Sequence, residues 1–146
     1  MSENELIALL RLQKIPNIGD VVAKKLIERC GSATAVFTEK RAVLQKIEGI
    51  GAFTLKGISD TQYISEAEAE LDYIQKNNIR YRYFKDNNYP IRLKHCIDGP
   101  ILLFESGNIA LEDRKVISIV GTRNMTSYGR QFCEQFVAAI APLDPV

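Results

Sequence analysis

Residues 115–129 read Lys115-Val116-Ile117-Ser118-Ile119-Val120-Gly121-Thr122-Arg123-Asn124-Met125-Thr126-Ser127-Tyr128-Gly129. The first six form a short β-branched run, the strongest strand signal in the chain. Gly121 ends that run, and a helix is expected from about Thr126. In it Tyr128, Phe132, Phe136 and Ile140 fall four apart, with Cys133 and Val137 beside them. A strand that passes through glycine into a helix aims loop amides and the helix dipole at an anion. This is the usual phosphate site of a parallel α/β sheet. A dinucleotide site needs G-x-G-x-x-G at this turn. Here the next glycine after Gly121 is Gly129, which argues against NAD or FAD, and no cofactor is expected. Arg123 fills the loop instead, and its planar fork suits a pair of phosphate oxygens or a base edge. Thr122 and Thr126 supply hydroxyl donors or cap the helix.

Working back toward the N-terminus, Ser106-Gly107-Asn108 and Asp98-Gly99-Pro100 are turn signals around the apolar run Ile101–Phe104. Pro90 opens a short helix over 91–96, and Ile79–Phe84 reads as a strand. Residues 76–95 hold six Lys/Arg and one Asp, interleaved with Tyr81, Tyr83, Phe84 and Tyr89. Aromatics beside cations are what a single-stranded nucleic acid platform uses. The alternative is an amphipathic strand with Ile79, Tyr81 and Tyr83 inward and Arg80 and Arg82 outward.

The first part of the chain reads as helices. Ser2 and Glu5 form a capping box ahead of Leu6, Ile7, Leu9, Leu10 and Leu12. Asp20 is expected to cap a second helix that stops at Gly31, and Ser32 caps a third. A short helix precedes Ile47, and another runs from Gly51 to about Gly57. Ser59-Asp60 then opens a longer one, with Ile64, Ala67, Leu71 and Ile74 on one side, which ends at Asn77-Asn78. Residues 12–27 (LQKIPNIGDVVAKKLI) and 44–58 (LQKIEGIGAFTLKGI) repeat each other, with Gly19 and Gly51 thirty-two positions apart. Each resembles a unit of the helix-hairpin-helix family, a SAM-like arrangement in which two such units form one small domain. Small hairpin residues let backbone N–H groups approach a DNA phosphate. On that reading Gly19, Lys24, Lys25, Gly49, Gly51 and Lys56 are candidate hairpin contacts to DNA. Asn17 stands where the family has its first glycine, and Asp20 puts an acid in the phosphate's path. The other reading is a helical packing module whose glycines only make tight turns.

Composition bounds these readings. The chain has 146 residues, with 19 Lys+Arg against 18 Asp+Glu, 46% apolar and 25% charged residues, which places it among ordered globular domains. The near-neutral balance argues against indiscriminate coating of nucleic acid but permits a local basic site. No apolar run is long enough for a membrane span, and the start MSENELIALL lacks a cationic n-region, so neither membrane nor signal peptide is expected. Cys30, Cys96 and Cys133 make no disulfide framework and lack zinc spacing, so reduced thiols in a cytoplasm and no metal are expected.

Residues 89–129 carry a more specific pattern: Tyr89-Pro90, Leu93, Asp98, Pro100, Leu102, Gly107-Asn108, Leu111, the Lys115-headed strand, Gly121-Thr122-Arg123, and Thr126-Ser127-Tyr128-Gly129. This resembles the DNA-processing protein A family (DprA, also called Smf). The resemblance implies an α+β to α/β chain: a helical helix-hairpin-helix/SAM-like domain over 1–62, then the incomplete start of a Rossmann-like DNA-binding domain over 63–146. It implies single-stranded DNA binding in natural transformation, delivery of that DNA to the RecA recombinase, a homodimer at full length, and no catalysed reaction. Carried onto this sequence, the nucleic-acid site is Gly121, Thr122, Arg123, Asn124 and Thr126. Arg123 grips the backbone, while Asn124 stands where many members have a cation. Tyr89 and Pro90 read as a packing corner, and Tyr128 as a core residue beside Phe132.

Two other classes compete. A Rossmann-like nucleotide-binding enzyme of the phosphoribohydrolase type would share the Gly121 loop. It would need an acid or base from His95, Glu112 or Asp113, and the last two sit at the wrong end of the strand. A duplex-binding helix-hairpin-helix module of a repair enzyme would explain the repeat but not residues 89–129. The family's sheet continues through a second strand, where this sequence reads Ala141-Pro142-Leu143-Asp144-Pro145-Val146. One parallel strand with one helix cannot bury both faces, so a truncated polypeptide is expected.

Overall fold

Helix α1 (Glu3–Lys14) starts where Ser2, in extended conformation, accepts the Glu5 N–H on its hydroxyl at 3.3 Å. The reciprocal half of the expected capping box is absent. The Glu5 carboxylate instead accepts from the Ala33 N–H (2.6 Å), the Thr34 N–H (3.0 Å) and the Thr34 hydroxyl (2.9 Å). The unpaired amides at the start of α3 (Ala33–Thr38) offer a carboxylate several donors and a favourable dipole, where its own helix offers one donor. Ser32 caps α3 as expected, accepting from the Ala35 N–H at 3.1 Å.

The computed structural model describes residues 1–107 and 115–145, a mixed helical chain with one small sheet. It divides into two compact units, Met1–Ser106 and Gly107–Val146. In the first, α1 lies against α5 (Gln62–Lys76) and α3, with Leu6, Leu9, Leu10 and Leu12 meeting Ala67, Leu71 and Ile74 in one core. A 2.9 Å ion pair from Lys14 to Glu70 edges that contact. Helix α2 (Asp20–Cys30) adds Ala23, Leu26 and Ile27, and ends at Gly31 (φ +92°), whose N–H bonds to the Ile27 carbonyl at 2.8 Å. The short α4 (Arg41–Leu44) contributes Leu44.

The thirty-two-residue repeat has a repeated geometry. Ile18 N–H bonds to Ile15 O (3.2 Å) as Ile50 N–H bonds to Ile47 O (3.0 Å). Likewise Ala23 N–H bonds to Gly19 O (2.9 Å) as Leu55 N–H bonds to Gly51 O (3.3 Å). Asn17 (φ +67°) and Gly49 (φ +80°) take the same left-handed turn, a conformation asparagine tolerates better than other non-glycine residues. Leu12, Ile18, Ala23 and Leu26 are buried, and so are their counterparts Leu44, Ile50, Leu55 and Ile58. The second copy departs after its turn. The helix expected over 51–57 is a run of turns, closed by three-residue hydrogen bonds from Lys56 to Phe53 and from Ile58 to Leu55. Leu55 and Ile58, three apart, share a face in such a tight path. Gly57 lies where an added Cβ would come within 3.0 Å of Ile15 and 3.1 Å of Tyr63.

Gly49→Ala is expected to destabilise the chain by about 1–2 kcal/mol, because alanine must adopt the left-handed conformation. Gly51→Ala, with nothing near its added Cβ and no positive φ, is the control and should shift the urea midpoint much less.

Strands β1 (Arg80–Tyr83) and β2 (Leu102–Glu105) pair antiparallel, with Arg80 opposite Glu105 and Tyr83 opposite Leu102. An Arg82–Glu105 ion pair crosses this ladder. Tyr83, Ile101 and Leu102 belong to the same core as Leu9 and Leu26. Pro90 precedes the single turn α6 (Ile91–Lys94), shorter than the span expected. Tyr89 and Pro90 do make a packing corner: Tyr89 is buried, and its hydroxyl donates to the Pro100 carbonyl at 2.7 Å. Asp20 lies inside α2 rather than capping it; Gly19 is the cap residue. The Asp20 carboxylate accepts instead from the buried Ile101 N–H at 2.8 Å.

In the second unit, Lys115–Val120 forms no strand, contrary to the sequence reading. A strand exists through its ladder, and among the described residues none pairs with this run. Its apolar side chains are exposed, Val120 to 93%. Helix α7 (Ser127–Ile140) forms as expected, with a 3₁₀ turn over Ala141–Leu143 after it. Tyr128 and Phe132, read as core residues, are exposed, and none of α7 is buried. Along the helix, Phe132 and Phe136 stack at 6.0 Å. Asn108, Leu111, Glu112 and Asp113, all named in the sequence reading, lie outside the described residues.

Candidate nucleic-acid interface

The loop before α7 gathers Gly121, Thr122, Arg123, Asn124 and Thr126 in one exposed segment. Two of its hydroxyls are already committed. Thr122 donates to the Asn124 carbonyl at 2.8 Å, which folds the loop back on itself. Thr126 caps α7 by accepting the Gly129 N–H at 3.1 Å. Arg123 therefore projects from a turn held on both sides, next to the positive end of a 14-residue helix. Cation, amides and dipole all favour an anion there.

The hairpin residues lie in the other compact unit. Gly19 and Gly51 occupy equivalent turn ends, and Lys56 is exposed. The Lys24 ammonium donates to the carbonyls of Cys96 (3.3 Å) and Ile97 (3.2 Å), and the Lys25 ammonium to that of Glu48 (3.3 Å). Carbonyl partners orient these ammonium groups without neutralising them. Thus Lys24 reaches the segment after α6 rather than the first hairpin, while Lys25 reaches the second.

The basic aromatic stretch resolves residue by residue. Tyr83 and Tyr89 are wall residues. Burial, then the Glu5 and Asp86 carboxylates, push the Tyr83 phenol up to about 12. Burial, then Asp20, raise that of Tyr89, so both are neutral at ordinary pH. Phe84 and Tyr89 line an open cavity of about 340 Å³ together with Lys24, Lys25, Leu93 and Lys94; Tyr89 is buried in its wall and Phe84 is half-buried. Sequence reasoning flagged the stretch but not this cavity, because the lysines of α2 come from sixty residues away. His95 is exposed just after α6. Burial raises the Cys30 thiol, with Glu39 adding to the shift, which disfavours a thiolate. Among the described residues no group of His, Cys, Asp and Glu is arranged to hold a metal ion, and no helix is long and apolar enough to cross a membrane.

The exposed cationic loop and the lysine-lined cavity each offer cations to an anionic ligand, and comparison with known proteins bears on which. Residues 80–146, which include the Gly121–Thr126 loop, match the family model described as DNA recombination-mediator protein A. The chain is also 29% identical over 120 residues to the DNA processing protein DprA of Bacillus subtilis (strain 168), covering 80% of this chain and 40% of that protein. No solved structure matches. Over residues 80–146 the chain is therefore similar to the DNA-processing protein A family, and it spans about two fifths of the length of the curated relative it matches.

Proposed function

We propose that this chain is part of a recombination mediator that binds single-stranded DNA during natural transformation. It protects that DNA and loads the RecA recombinase onto it, in the cytoplasm, as a homodimer at full length and without catalysing a reaction. The observation that carries this reading is the family match over residues 80–146, which contains the exposed Arg123 loop at the head of α7. In this proposal residues 63–146 open a Rossmann-like DNA-binding domain, with Arg123 on a phosphate and Gly121, Thr122, Asn124 and Thr126 shaping the loop. Residues 1–62 form a helix-hairpin-helix/SAM-like domain. The repeated turn geometry at Asn17 and Gly49 supports the paired-hairpin reading of that segment.

Fluorescence anisotropy with a labelled oligothymidylate tests the site. Arg123→Ala is expected to weaken binding by about tenfold and to lower the salt slope by about 0.7, the share of one phosphate contact on a single strand. Unchanged affinity would remove Arg123 from the interface. A slope near zero for the parent chain would remove phosphate recognition altogether.

A further inference from the structure

We infer that the cavity between α2 and residues 84–97 is a second contact for single-stranded nucleic acid, taking one nucleotide with its base on the Phe84 ring and its phosphate between Lys25 and Lys94. This rests on the single-strand reading above and adds a contact outside the Gly121–Thr126 loop. The volume of about 340 Å³ falls in the range of small-ligand pockets, about 300–1,000 Å³. Three lysines line it, Lys24, Lys25 and Lys94, against one carboxylate, Glu28.

The aromatic component is equally well placed. Phe84 is half-buried and braced edge-on by Tyr83, with centroids 4.9 Å apart and planes at 81°. The ammonium groups of Lys24 and Lys85 stand 5.8 and 5.7 Å from its centroid, near the ~6 Å limit of cation–π attraction. That attraction is weak, so these charges remain available to an anion. A fixed ring rimmed by cations is the combination that binds a stacked base and its phosphate. Lys25 both lines the cavity and bonds to Glu48 O beside the Gly49 turn. The cationic surface therefore continues from the cavity to the second hairpin. This continuity favours a strand over a free mononucleotide, whose single phosphate would use only one end.

The test measures anisotropy of a labelled oligothymidylate on the parent chain, Phe84→Leu, a Lys25→Ala/Lys94→Ala double variant, and Arg123→Ala. Lys24 is spared because its carbonyl bonds hold the cavity wall. Phe84→Leu is expected to weaken binding at least fivefold, with the salt slope unchanged, since a stacked base contributes about 1–3 kcal/mol. The double variant, altered at two exposed side chains, is expected to lower the slope by about 0.7, the share of the one phosphate that the two lysines hold. It reads the site independently if Phe84→Leu unfolds. If only Arg123→Ala weakens binding, this inference is overturned and the mediator reading stands. If the parent chain does not bind, both fall. Competition by thymidine monophosphate as effective, per nucleotide, as by the oligomer would overturn the assignment to a strand.

Discussion

Leu12→Ala is expected to lower the stability of the chain by about 2–5 kcal/mol, the cost of a buried leucine whose cavity the surroundings fill only partly. Leu12 is fully buried in α1, the helix that α3 and α5 both pack against, so little can move in to fill the gap. Against a typical domain stability of about 5–15 kcal/mol, this loss should appear as a large drop in the urea midpoint with the slope of the transition kept. Leu44→Ala removes the counterpart in the repeat. Leu44 is also buried, but α4 is a single turn on which the chain can settle inward, so a smaller loss is expected. Equal losses from the two variants would show that the repeat is mechanically symmetric and that α4 is as rigid as α1.

The contrast between the two leucines is the contrast between what was legible in the sequence and what was not. Helices α1, α2, α3 and α7 announce themselves through local capping, as Ser2, Gly31, Ser32 and Thr126 all act within four residues of themselves, and α5 through its apolar period. The repeat was legible because both copies use the same turn, down to a left-handed residue at positions 17 and 49. The errors share one cause. Glu5 and Asp20 satisfy amides twenty-eight and eighty-one residues away, choices that a local rule for caps cannot see. Lys115–Val120 has strand propensity, but propensity does not supply a neighbouring strand. The candidate site divides in the same way. The Gly121–Thr126 loop is contiguous and could be named from its residues. The Phe84 cavity depends on which rings of a four-ring stretch the fold turns toward α2, and on lysines that α2 brings to it.

Asp20→Ala is expected to cost about 2–3 kcal/mol, because it leaves the Ile101 N–H without its acceptor. Ile101 is fully buried and sits beside the start of β2, so water cannot readily replace the carboxylate at 2.8 Å. Asp20→Asn keeps an oxygen in place and should recover most of that loss, separating the hydrogen bond from the charge. The charge has its own readout. Asp20 helps to raise the Tyr89 phenol, so in Asp20→Asn that phenol should ionise at lower pH by absorbance titration. A raised phenol in the folded state means stability that is fully present below the ordinary tyrosine pKa of about 10 and is lost as pH climbs through the folded value. Both proteins should begin to lose that stability near the ordinary value, but Asp20→Asn, with the smaller gap between folded and unfolded phenol, should lose less of it and level off at lower pH. The same variant separates the two readings of the first hairpin. Asp20 lies one residue after Gly19, where a phenol shift reports its field and a phosphate would meet its repulsion. If the Gly19 turn contacts DNA, Asp20→Asn should bind an oligonucleotide more tightly while losing little stability. If the turn only closes the fold, affinity should stay with the parent and the effect of Asp20 should be confined to its grip on Ile101.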